Sequence, residues 1–423
     1  MEVVAARCAG LDVHKATIVA CALIAQEGRA RPRKEYATFP TTAAGLASLA
    51  AWLKGLGVEQ VGMEATGVYW RPVYAVLEAQ GGFELIVANA QHIKTVPGRK
   101  TDIKDAEWLA MLVRHGLMRK SFIPDQPFRD LRDLTRYRRA LVETQASERH
   151  RLIQVLESAD IKLSGLVSDV FGLSGRLMLR ALIAGEQDPA VLADLARGQL
   201  RKKRDALREA LAARLGEHQR RMLAIQLSRV EAAEADIAVL DQEIDQRLEP
   251  YAEEMALLIT ISGVDRVVAA AVVAELGTDL SSFPSAEHLA AWSGTCPGNR
   301  ESAGKAKPAR ARKGNPHLKT ALCNAAIAAT RKKGSYLRAK YYKLKARIGG
   351  GKAALAIAHK LVVVIYHVLS KRVAYRDLGE DYLDQINAKR TAQRYVQKLN
   401  ALGYGVSLSL LTRPAPAPQA EPL

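Results

Sequence analysis

Strand-like and helix-like segments alternate over residues 1–120, and this alternation restricts the fold more than any other feature of the chain. The stretch RCAGLDVHKATIVACALI has the pattern of two buried strands joined by a short turn near His14 and Lys15, and VEQVGMEA and FELIVANA have the pattern of two more strands. Helical patterns such as TTAAGLASLAAWLKGLG and TDIKDAEWLAMLVRHG follow them, with threonine caps and glycine ends. We expect Thr66 to open a helix over TGVYWRPVYAVLEAQ. In the last helix, the apolar stripe is expected at Ile103, Ala106, Leu109, Ala110 and Val113. We therefore predict an α/β domain with a mostly parallel or mixed sheet.

Four acidic residues of this domain occupy positions that suit a shared metal site. Asp12 and Glu64 lie at the ends of two apolar strands, and Asp102 and Asp105 are three residues apart on one helix face. Each acid alone is explained equally well as a turn residue, an ion-pair partner or a first-turn helix acid. If the four converge, they need a divalent cation, because clustered carboxylates repel one another. Oxygen ligands favour Mg²⁺.

The charge of the chain favours a polyanionic partner. The formal net charge is +18 and the pI is about 9.8, which makes nucleic acid the leading candidate over a merely basic soluble protein. Residues 331–372 hold twelve Lys or Arg and no acid, with tyrosines between them. A solvated helix face normally mixes signs, so this block favours a phosphate backbone.

Nothing in the chain predicts secretion or membrane insertion. The four cysteines form no C-x-x-C pair, which fits a reducing compartment. The N-terminal segment lacks the pattern of a signal peptide. The longest apolar run, LVVVIYHVL, is about half a membrane span and reads as a buried helix. We expect a cytoplasmic protein that does not contact a membrane.

Proline residues at 124 and 127 separate the first domain from two long amphipathic patterns, about 128–160 and 204–249. Their spacing fits either an antiparallel coiled coil or a plain helical bundle, and either could carry self-association. The pattern then changes to helix, tight turn at Gly263, helix. We divide the chain into an α/β domain, a helical spacer, a helical domain and a helical and Pro/Ala-rich tail, with boundaries at 1–125, 126–250, 251–375 and 376–423.

A basic loop from Thr295 to Gly314 contains Ser302, in the sequence ESAGK, which could contact phosphate or act as a nucleophile. Gly304 beside it permits close approach of the backbone to a ligand. The chemistry of the residues alone favours phosphate contact by Ser302 over nucleophilic attack. The basic residues that we predict to contact nucleic acid are Arg300, Lys305, Lys307, Arg310, Arg312, Lys313 and Lys319.

These motifs resemble, in content and order, the DEDD transposases of bacterial insertion sequences, which are recombinases guided by a structured bridge RNA. The resemblance covers about residues 8–345. Its motifs are GLDVHK, MEATGVYW, KTDIKDAEWLA, ITISGVDRVVAAAVVAELG, LAAWSGTCP and ESAGK followed by GNPHLKTAL.

The resemblance implies an α/β RuvC-like (RNase H-like) first domain, a long helical or coiled-coil middle, and a mostly α-helical C-terminal domain with a serine loop. It implies that Asp12, Glu64, Asp102 and Asp105 bind Mg²⁺, and that Ser302 attacks DNA to form a phosphoserine link. The expected partners are donor and target DNA, the bridge RNA and further copies of the chain, in a dimer or tetramer with composite sites. The expected location is the bacterial cytoplasm, at the nucleoid.

The chain departs from the family pattern at three positions. Ser262 and Asp265 replace a usual Pro and Gly in the hairpin, and Ala303 replaces a common Gly beside the serine. Two other functions remain open from the sequence. One is a metal-dependent junction-resolving nuclease that uses the four acids but not Ser302, and the other is a non-catalytic nucleic-acid-binding protein.

Overall fold

The computed structural model describes residues 2–26, 28, 31–89, 102–297, 301–302, 305–306, 313–386 and 388–409, with backbone only at 102, 301–302 and 305–306. The chain divides into two compact units, Met1–Ile123 and Pro124–Leu423. Each unit is described by itself below.

The first unit alternates strands and helices, as predicted from its periodicity. Its elements are β1 Arg7–Val13, β2 Thr17–Ile24, β3 Arg33–Pro40, α1 Ala43–Gly55, β4 Gln60–Glu64, α2 Trp70–Gln80, β5 Glu84–Ala88 and α3 Asp102–Arg114. Thr42 caps α1 by accepting a hydrogen bond from the Gly45 N–H at 3.2 Å. A short turn joins the antiparallel strands β1 and β2 near residues 14 and 15, as predicted.

Within the described residues, five strands form one mixed sheet in the order β3-β2-β1-β4-β5. β2 runs antiparallel to both of its neighbours, whereas β1, β4 and β5 run parallel to one another. β2 is buried on both faces, because α1 and α2 cover one side of the sheet and α3 covers the other. A mixed five-stranded sheet followed by mostly helical regions is consistent with the predicted RuvC-like organisation.

Three details of the first unit differ from the sequence-based expectation. The pattern did not predict β3, whose exposed face carries charged residues because it is the edge strand. Ile103, predicted to lie in the apolar stripe of α3, is 56% exposed. Thr66 does not cap α2, which begins after Tyr69; its hydroxyl instead donates to the Glu64 carboxylate.

The second unit is mostly helical. Its helices are α4 Gln126–Ser158, α5 Leu163–Leu166, α6 Leu173–Ala184, α7 Pro189–Asp194, α8 Arg204–Ala210, α9 Glu217–Leu248, α10 Ala252–Ile259, α11 Arg266–Leu276, α12 Ala286–Ser293, α13 Pro316–Ala329, α14 Tyr336–Ile348, α15 Gly350–Lys371, α16 Tyr382–Gln385 and α17 Ala388–Ala401. Two short strands, β6 Glu301–Ser302 and β7 Lys305–Ala306, lie between α12 and α13.

The long helices α4 and α9 pack side by side in antiparallel orientation. The Arg247 guanidinium lies 3.3 Å from Asp130 at one end, and the Arg229 guanidinium lies 3.4 Å from Glu148 nearer the other. This geometry accounts for the two long patterns of the spacer. The second pattern was predicted about a dozen residues too long, because residues 204–210 form the separate helix α8.

Residues 159–216 form a helical cap on the pair of long helices. A cluster of buried apolar residues, with Leu152 and Leu156 from α4 and Leu223 and Leu227 from α9, packs against α6, α7 and α8. The cap therefore has a core of its own and is a natural internal reference for stability measurements.

Helix α15 has the length and composition to cross a membrane, and it is the single described helix that does. Half of its apolar window is buried within the unit. Ala353, Ile357, Leu361 and Ile365 recur on one buried face, which is the pattern of a core helix in a soluble domain. The prediction of a buried helix at this run agrees with the structure.

Candidate active site

Asp12 and Glu64 lie at the ends of two neighbouring parallel strands. The register pairs Gly10 with Gly62 and Leu11 with Met63, so the next positions in the same register are the two acids. Paired residues of adjacent strands project from the same face of a sheet. Both acids are partly buried, and the Asp12 side chain is 20% exposed.

Helix α3 lies directly on the strands that carry these acids. A Cβ added to Gly10 would lie 2.3 Å from both the Ala106 carbonyl oxygen and the Ala110 nitrogen. A Cβ added to Gly62 would lie 2.3 Å from the Val113 side chain. Glycine is therefore needed at both positions for the helix to approach the sheet this closely.

The helix runs antiparallel to β1. The Cys8 thiol contacts the Ala110 carbonyl oxygen at 3.5 Å, whereas Gly10 also lies against Ala106. Two strand residues advance about 6.6 Å, and four helix residues advance about 6 Å. Each step of two residues along β1 therefore matches a step of about four residues back along α3. The first turn of α3 therefore lies level with the carboxyl ends of β1 and β4.

Three of the four predicted acids thus lie near the carboxyl ends of β1 and β4, which we call the acidic edge of the sheet. Asp12 and Glu64 project on the face that α3 covers, and Asp105 lies half-buried in the first turn of that helix. The backbone of Asp102 begins the helix, and its side chain lies outside the described residues. The structure thus places the backbones of all four predicted acids in the first unit, and their assignment as metal ligands stays a prediction.

Each strand acid has a close polar neighbour. The His14 Nε2 atom lies 3.1 Å from an Asp12 carboxylate oxygen, and the Thr66 hydroxyl donates to the Glu64 carboxylate. Among the described side chains, no group of three or more His, Cys, Asp or Glu could by itself hold a metal ion. The Asp102 side chain is not among them, so this absence concerns Asp12, Glu64 and Asp105.

A fifth acid in the same helix has a different role. Glu107 forms an ion pair with Lys34 and accepts a 2.8 Å hydrogen bond from the Tyr36 hydroxyl, both on β3. The Lys34 hydrogen bond holds the pKa of Glu107 below its usual range. Glu107 therefore ties α3 to the edge strand β3.

We call the stretch from Thr295 to Gly314 the serine segment. It contains a short antiparallel ladder where the sequence predicted a loop. Glu301 pairs with Ala306, and Ser302 pairs with Lys305. The side chains of Ser302 and Lys305 lie outside the described residues. The same holds for the predicted nucleic-acid contacts at Arg300, Lys307, Arg310 and Arg312.

The two ends of this segment are held together. A Cβ added to Gly314 would lie 2.3 Å from the Gly294 nitrogen and 2.6 Å from the Trp292 carbonyl oxygen. The Asn315 N–H donates to that same carbonyl at 3.1 Å. The serine segment is therefore closed at its base by backbone contact, and only glycine fits at position 314.

A buried carboxylate lies beside this base. Glu275 of α11 is 1% exposed and accepts two hydrogen bonds from Arg136, at 2.7 and 2.8 Å. Arg132 lies 3.3 Å from the same carboxylate, and the Asn315 side-chain amide donates to it at 2.6 Å. Burial alone would raise the pKa of Glu275, but Arg136 and Arg132 hold it below its usual range.

Sequence reasoning missed this group of four residues. Glu275 stands alone as an acid in the apolar run VVAAAVVAELG, and Arg132 and Arg136 are four apart on one face of α4. A lone acid in a buried helix requires a cationic partner, so this signal was present in the sequence. What the sequence did not contain was the location of that partner on a helix 139 residues earlier.

A cavity of about 550 Å³ adjoins the group, between α4, α9, α11 and α13. Four arginines line it, and each has a carboxylate partner: Arg136 with Glu275, Arg138 with Asp241, Arg139 with Glu143, and Arg266 with Asp245. The positive charge of these four guanidinium groups is therefore balanced by carboxylates of the cavity wall.

The predicted helix–turn–helix around Gly263 is present, as α10 and α11. Gly263 has φ +90°, and a Cβ there would lie 2.3 Å from the Ala325 carbonyl oxygen, so glycine is required twice over. Asp265 caps α11 by accepting a hydrogen bond from the Val268 N–H at 2.9 Å. The Asp265 carboxylate therefore satisfies a backbone N–H group in the first turn of α11.

The other unusual hairpin residue, Ser262, is buried and bonded to the C-terminal segment. Its hydroxyl lies 3.3 Å from the Asp377 carboxylate and accepts a 3.2 Å hydrogen bond from Lys332. Asp377 also accepts from the N–H groups of Tyr336 and Gly379, both at 2.9 Å. Asp377 therefore joins the hairpin turn to the start of α14.

We expect Asp377→Ala to lower the free energy of unfolding by about 1–3 kcal/mol, because two N–H donors lose their acceptor. The measurement is the urea midpoint, with the slope of the transition as a check on mechanism. Asp381→Ala is the matched control, since Asp381 is exposed, and its effect should be within about 0.5 kcal/mol. Equal midpoints for the two variants would contradict a structural role for Asp377.

Helix α14 and its flanks present a basic surface, here called the basic helix surface and defined as residues 331–347. Exposed Tyr342 has the Arg338 guanidinium and the Lys345 ammonium within 5.3 and 5.8 Å of its ring centre. Lys343 is paired with Asp384 at 2.6 Å. Of the cations predicted for the serine loop, Lys313 is exposed and Lys319 is half-buried at the start of α13.

Two family models match the chain. A transposase model of the DEDD, IS110 type matches residues 9–160, which include all four predicted acids and α4. A second model, described as transposase IS116/IS110/IS902 family, matches residues 255–343, which include the hairpin, the serine segment and α13. Together the two cover more than half of the chain. A comparison with curated proteins gave no match.

The mixed sheet with its acidic edge, the helical second unit and these two matches define a transposase, an enzyme that acts on DNA. The chain belongs to the IS116/IS110/IS902 family of insertion-sequence transposases. The family resemblance drawn from the motifs of the sequence is confirmed.

Proposed function

We propose that the chain is an RNA-guided DNA recombinase that excises and inserts its own element. The observation that carries this proposal is the placement of Asp12, Glu64 and Asp105 at one edge of the sheet. The closed base of the segment with Ser302 supports it, and both features lie inside the matched regions.

Asp12, Glu64, Asp102 and Asp105 are the residues that would hold Mg²⁺. Their donor atoms are all carboxylate oxygens, which suit a hard cation. When bound, the ion would stabilise charge on phosphate oxygens and favour a deprotonated attacking oxygen. His14 and Thr66 orient the carboxylates of Asp12 and Glu64 through the hydrogen bonds described above.

In the proposed reaction Ser302 is the nucleophile. Its hydroxyl oxygen bonds to a DNA phosphorus atom, the bond from phosphorus to a deoxyribose oxygen breaks, and a proton ends on that departing oxygen. The product is a phosphoserine ester, so the bond energy is retained for strand exchange. Cations of the serine segment, Arg300, Lys305 and Lys307 among them, would stabilise the charge that develops on phosphate.

Base pairing with a structured bridge RNA would supply sequence recognition of donor and target DNA. The protein would read backbone and shape, a division of labour known for other RNA-guided effectors. The surplus of positive charge supports this role, since phosphate contacts dominate non-specific affinity. Arg310, Arg312, Lys313 and Lys319 would contact the nucleic acid beside the serine segment.

A homo-oligomer, a dimer or tetramer, would bring acids and serine from different copies into one composite site. The middle of the long helix pair supports self-association. Tyr137 is 58% exposed, Val142 37% and Val239 63%, so apolar side chains there are not covered within one chain.

We assign these roles to the four regions predicted from the sequence. Residues 1–125 would hold the metal, 126–250 would carry self-association, 251–375 would carry the serine chemistry and 376–423 would form the tail. In the tail, the contacts of Asp377 stabilise the hairpin of the third region.

The second candidate is a metal-dependent junction-resolving nuclease that does not use Ser302. The four predicted acids favour it, because all of them belong to the first unit and a nuclease of this kind needs no serine. The two candidates differ in one product, since a nuclease releases DNA with a new phosphate end and forms no covalent link to protein.

RNA guidance is tested by strand cleavage of a junction DNA that carries the element ends, with Mg²⁺ present. We expect cleavage with the RNA transcribed from the region flanking the gene and none with a scrambled RNA of equal length. Changing the pairing segment of the RNA should move the cleavage to the matching DNA. Equal cleavage without RNA would contradict RNA guidance and leave the transposase assignment intact.

Charge reversal on the basic helix surface should weaken nucleic-acid binding. Lys345 and Arg347 are exposed on α14. The log of the binding constant falls as the log of the salt concentration rises, and the double change to Glu should make this slope shallower by about 2. The control is Lys202→Glu with Arg214→Glu, which changes the net charge equally but lies on the helical cap. Equal slopes in the two double variants would place the nucleic acid elsewhere.

A further inference from the structure

Among the described residues, the two ends of the serine segment meet at its base. That base is the contact of Gly294 with Gly314 and the hydrogen bond from the Asn315 N–H to Trp292. Asn315 then starts α13, and its side-chain oxygen accepts from the N–H groups of His317 and Leu318. One residue thus ends the serine segment and begins a rigid helix.

The side chain of Asn315 performs a second task at the same time. While its oxygen caps α13, its amide nitrogen donates to Glu275 at 2.6 Å. Glu275 is fixed in turn by the two-pronged hydrogen bonds from Arg136, and Arg132 donates to the backbone carbonyls of Ala274 and Glu275. The serine segment, the hairpin helix α11 and the long helix α4 therefore meet at one buried carboxylate.

The residues that meet at this carboxylate come from both regions that match the family models. Arg132 and Arg136 lie in the first region matched to the family, and Glu275 and Asn315 lie in the second. None of the four residues that make the group lies in the 94 residues between the two matches. The contact joins the two matched regions within the second unit, at the point where the serine segment ends.

We propose that Glu275 is a positioning residue that fixes the base of the serine segment to the long helix α4 through Asn315. A buried charge with this many directed partners has one low-energy arrangement, so it transmits the orientation of α4 to Asn315. Glu275 does not contact DNA; it acts through Asn315 on the segment that carries Ser302. The inference rests on the proposed function for the consequence in catalysis, but not for the tether itself.

The experiment is an exchange of partners in the full-length chain. Asn315→Asp keeps the cap of α13, because Asp caps as well as Asn does, but sets a second carboxylate against Glu275. The double variant Glu275→Gln with Asn315→Asp restores one amide donor and one carboxylate acceptor and keeps the net charge. Asn315→Ser is an additional test, since it keeps a capping oxygen without adding a charge.

Hydrogen exchange measures the tether without any substrate. Peptides spanning residues 288–296 and 313–320 should exchange about tenfold faster or more in Asn315→Asp, as expected for loss of a charge-assisted hydrogen bond. Peptides of the helical cap should exchange as in the unmodified chain, which excludes general unfolding. Asn315→Ser should show a smaller increase at the same peptides. The double variant should recover part of the lost protection, because its new amide leaves Arg136 one acceptor oxygen in place of two.

The catalytic consequence is the rate of covalent adduct formation on junction DNA, at unchanged affinity for that DNA. We expect a fall of about tenfold or more in Asn315→Asp and partial recovery in the double variant. Unmodified exchange in both Asn315 single variants would overturn the positioning role. An unmodified chain that forms no adduct would instead contradict the proposed serine chemistry, while exchange alone would still decide on the tether.

Discussion

Replacing Ser302 by alanine is expected to abolish the covalent protein–DNA adduct and to leave DNA and RNA binding intact. The change removes the attacking oxygen and none of the cations beside it. Loss of a nucleophile lowers the rate of the chemical step by roughly 10⁴- to 10⁶-fold, which is below detection in a gel assay. The measurement is the amount of protein-linked DNA after denaturation in SDS, with binding measured separately by mobility shift.

A serine that lies near but outside the loop is the control for this variant. Ser293 is buried at the end of α12 and bonds to the Ala290 carbonyl and to Thr295, so Ser293→Ala should keep adduct formation. Cleavage of DNA at the normal rate by Ser302→Ala would contradict the nucleophile assignment. That result would favour the junction-resolving nuclease.

Asp105→Asn is expected to stop strand cleavage with little loss of nucleic-acid binding. It removes one proposed metal ligand from the acidic edge and leaves the basic helix surface unchanged. A bound metal supplies several kcal/mol of transition-state stabilisation, so we expect cleavage to fall by about 10³-fold or more. The measurement is cleavage of junction DNA as Mg²⁺ is raised, and Asp12→Asn should behave in the same way.

Glu107→Gln provides a matched control in the same helix. Glu107 is two residues from Asp105 but faces Lys34 and Tyr36 of β3, so its neutralisation should reduce stability and not the metal dependence of cleavage. If Asp105→Asn and Glu107→Gln cleaved equally well at every Mg²⁺ concentration, the metal role of the acidic edge would be wrong.

Much of the first unit could be predicted from its sequence because its central strands are buried on both faces. Such strands read as continuous apolar runs, and β1, β2, β4 and β5 were predicted on that basis. The edge strand β3 was missed, because it begins with three charged residues, Arg33, Lys34 and Glu35, and has no continuous apolar run. Periodicity alone also placed Ile103 in the core, although the helix turns it outward.

The acids of the site could be predicted because each one interrupts a regular pattern. Asp12 and Glu64 end apolar strands, and Asp105 follows Asp102 at helical spacing. The group around Glu275 could not be predicted, because its arginines come from α4, far away in the sequence. Long-range pairing of charges depends on how helices pack, and a single sequence does not specify that packing.

The most direct measurement is the identity of the residue that becomes linked to DNA. Trypsin cleaves after Arg300 and Lys305, so it releases the peptide Glu301–Lys305 (ESAGK), in which Ser302 is the only side chain with a hydroxyl group. The adduct formed with Mg²⁺, RNA and junction DNA would be digested with nuclease and trypsin and analysed by mass spectrometry. We expect a nucleotide on ESAGK, joined through its phosphate to the oxygen of Ser302. A nucleotide on any other peptide, or cleaved DNA with no modified peptide, would contradict our account.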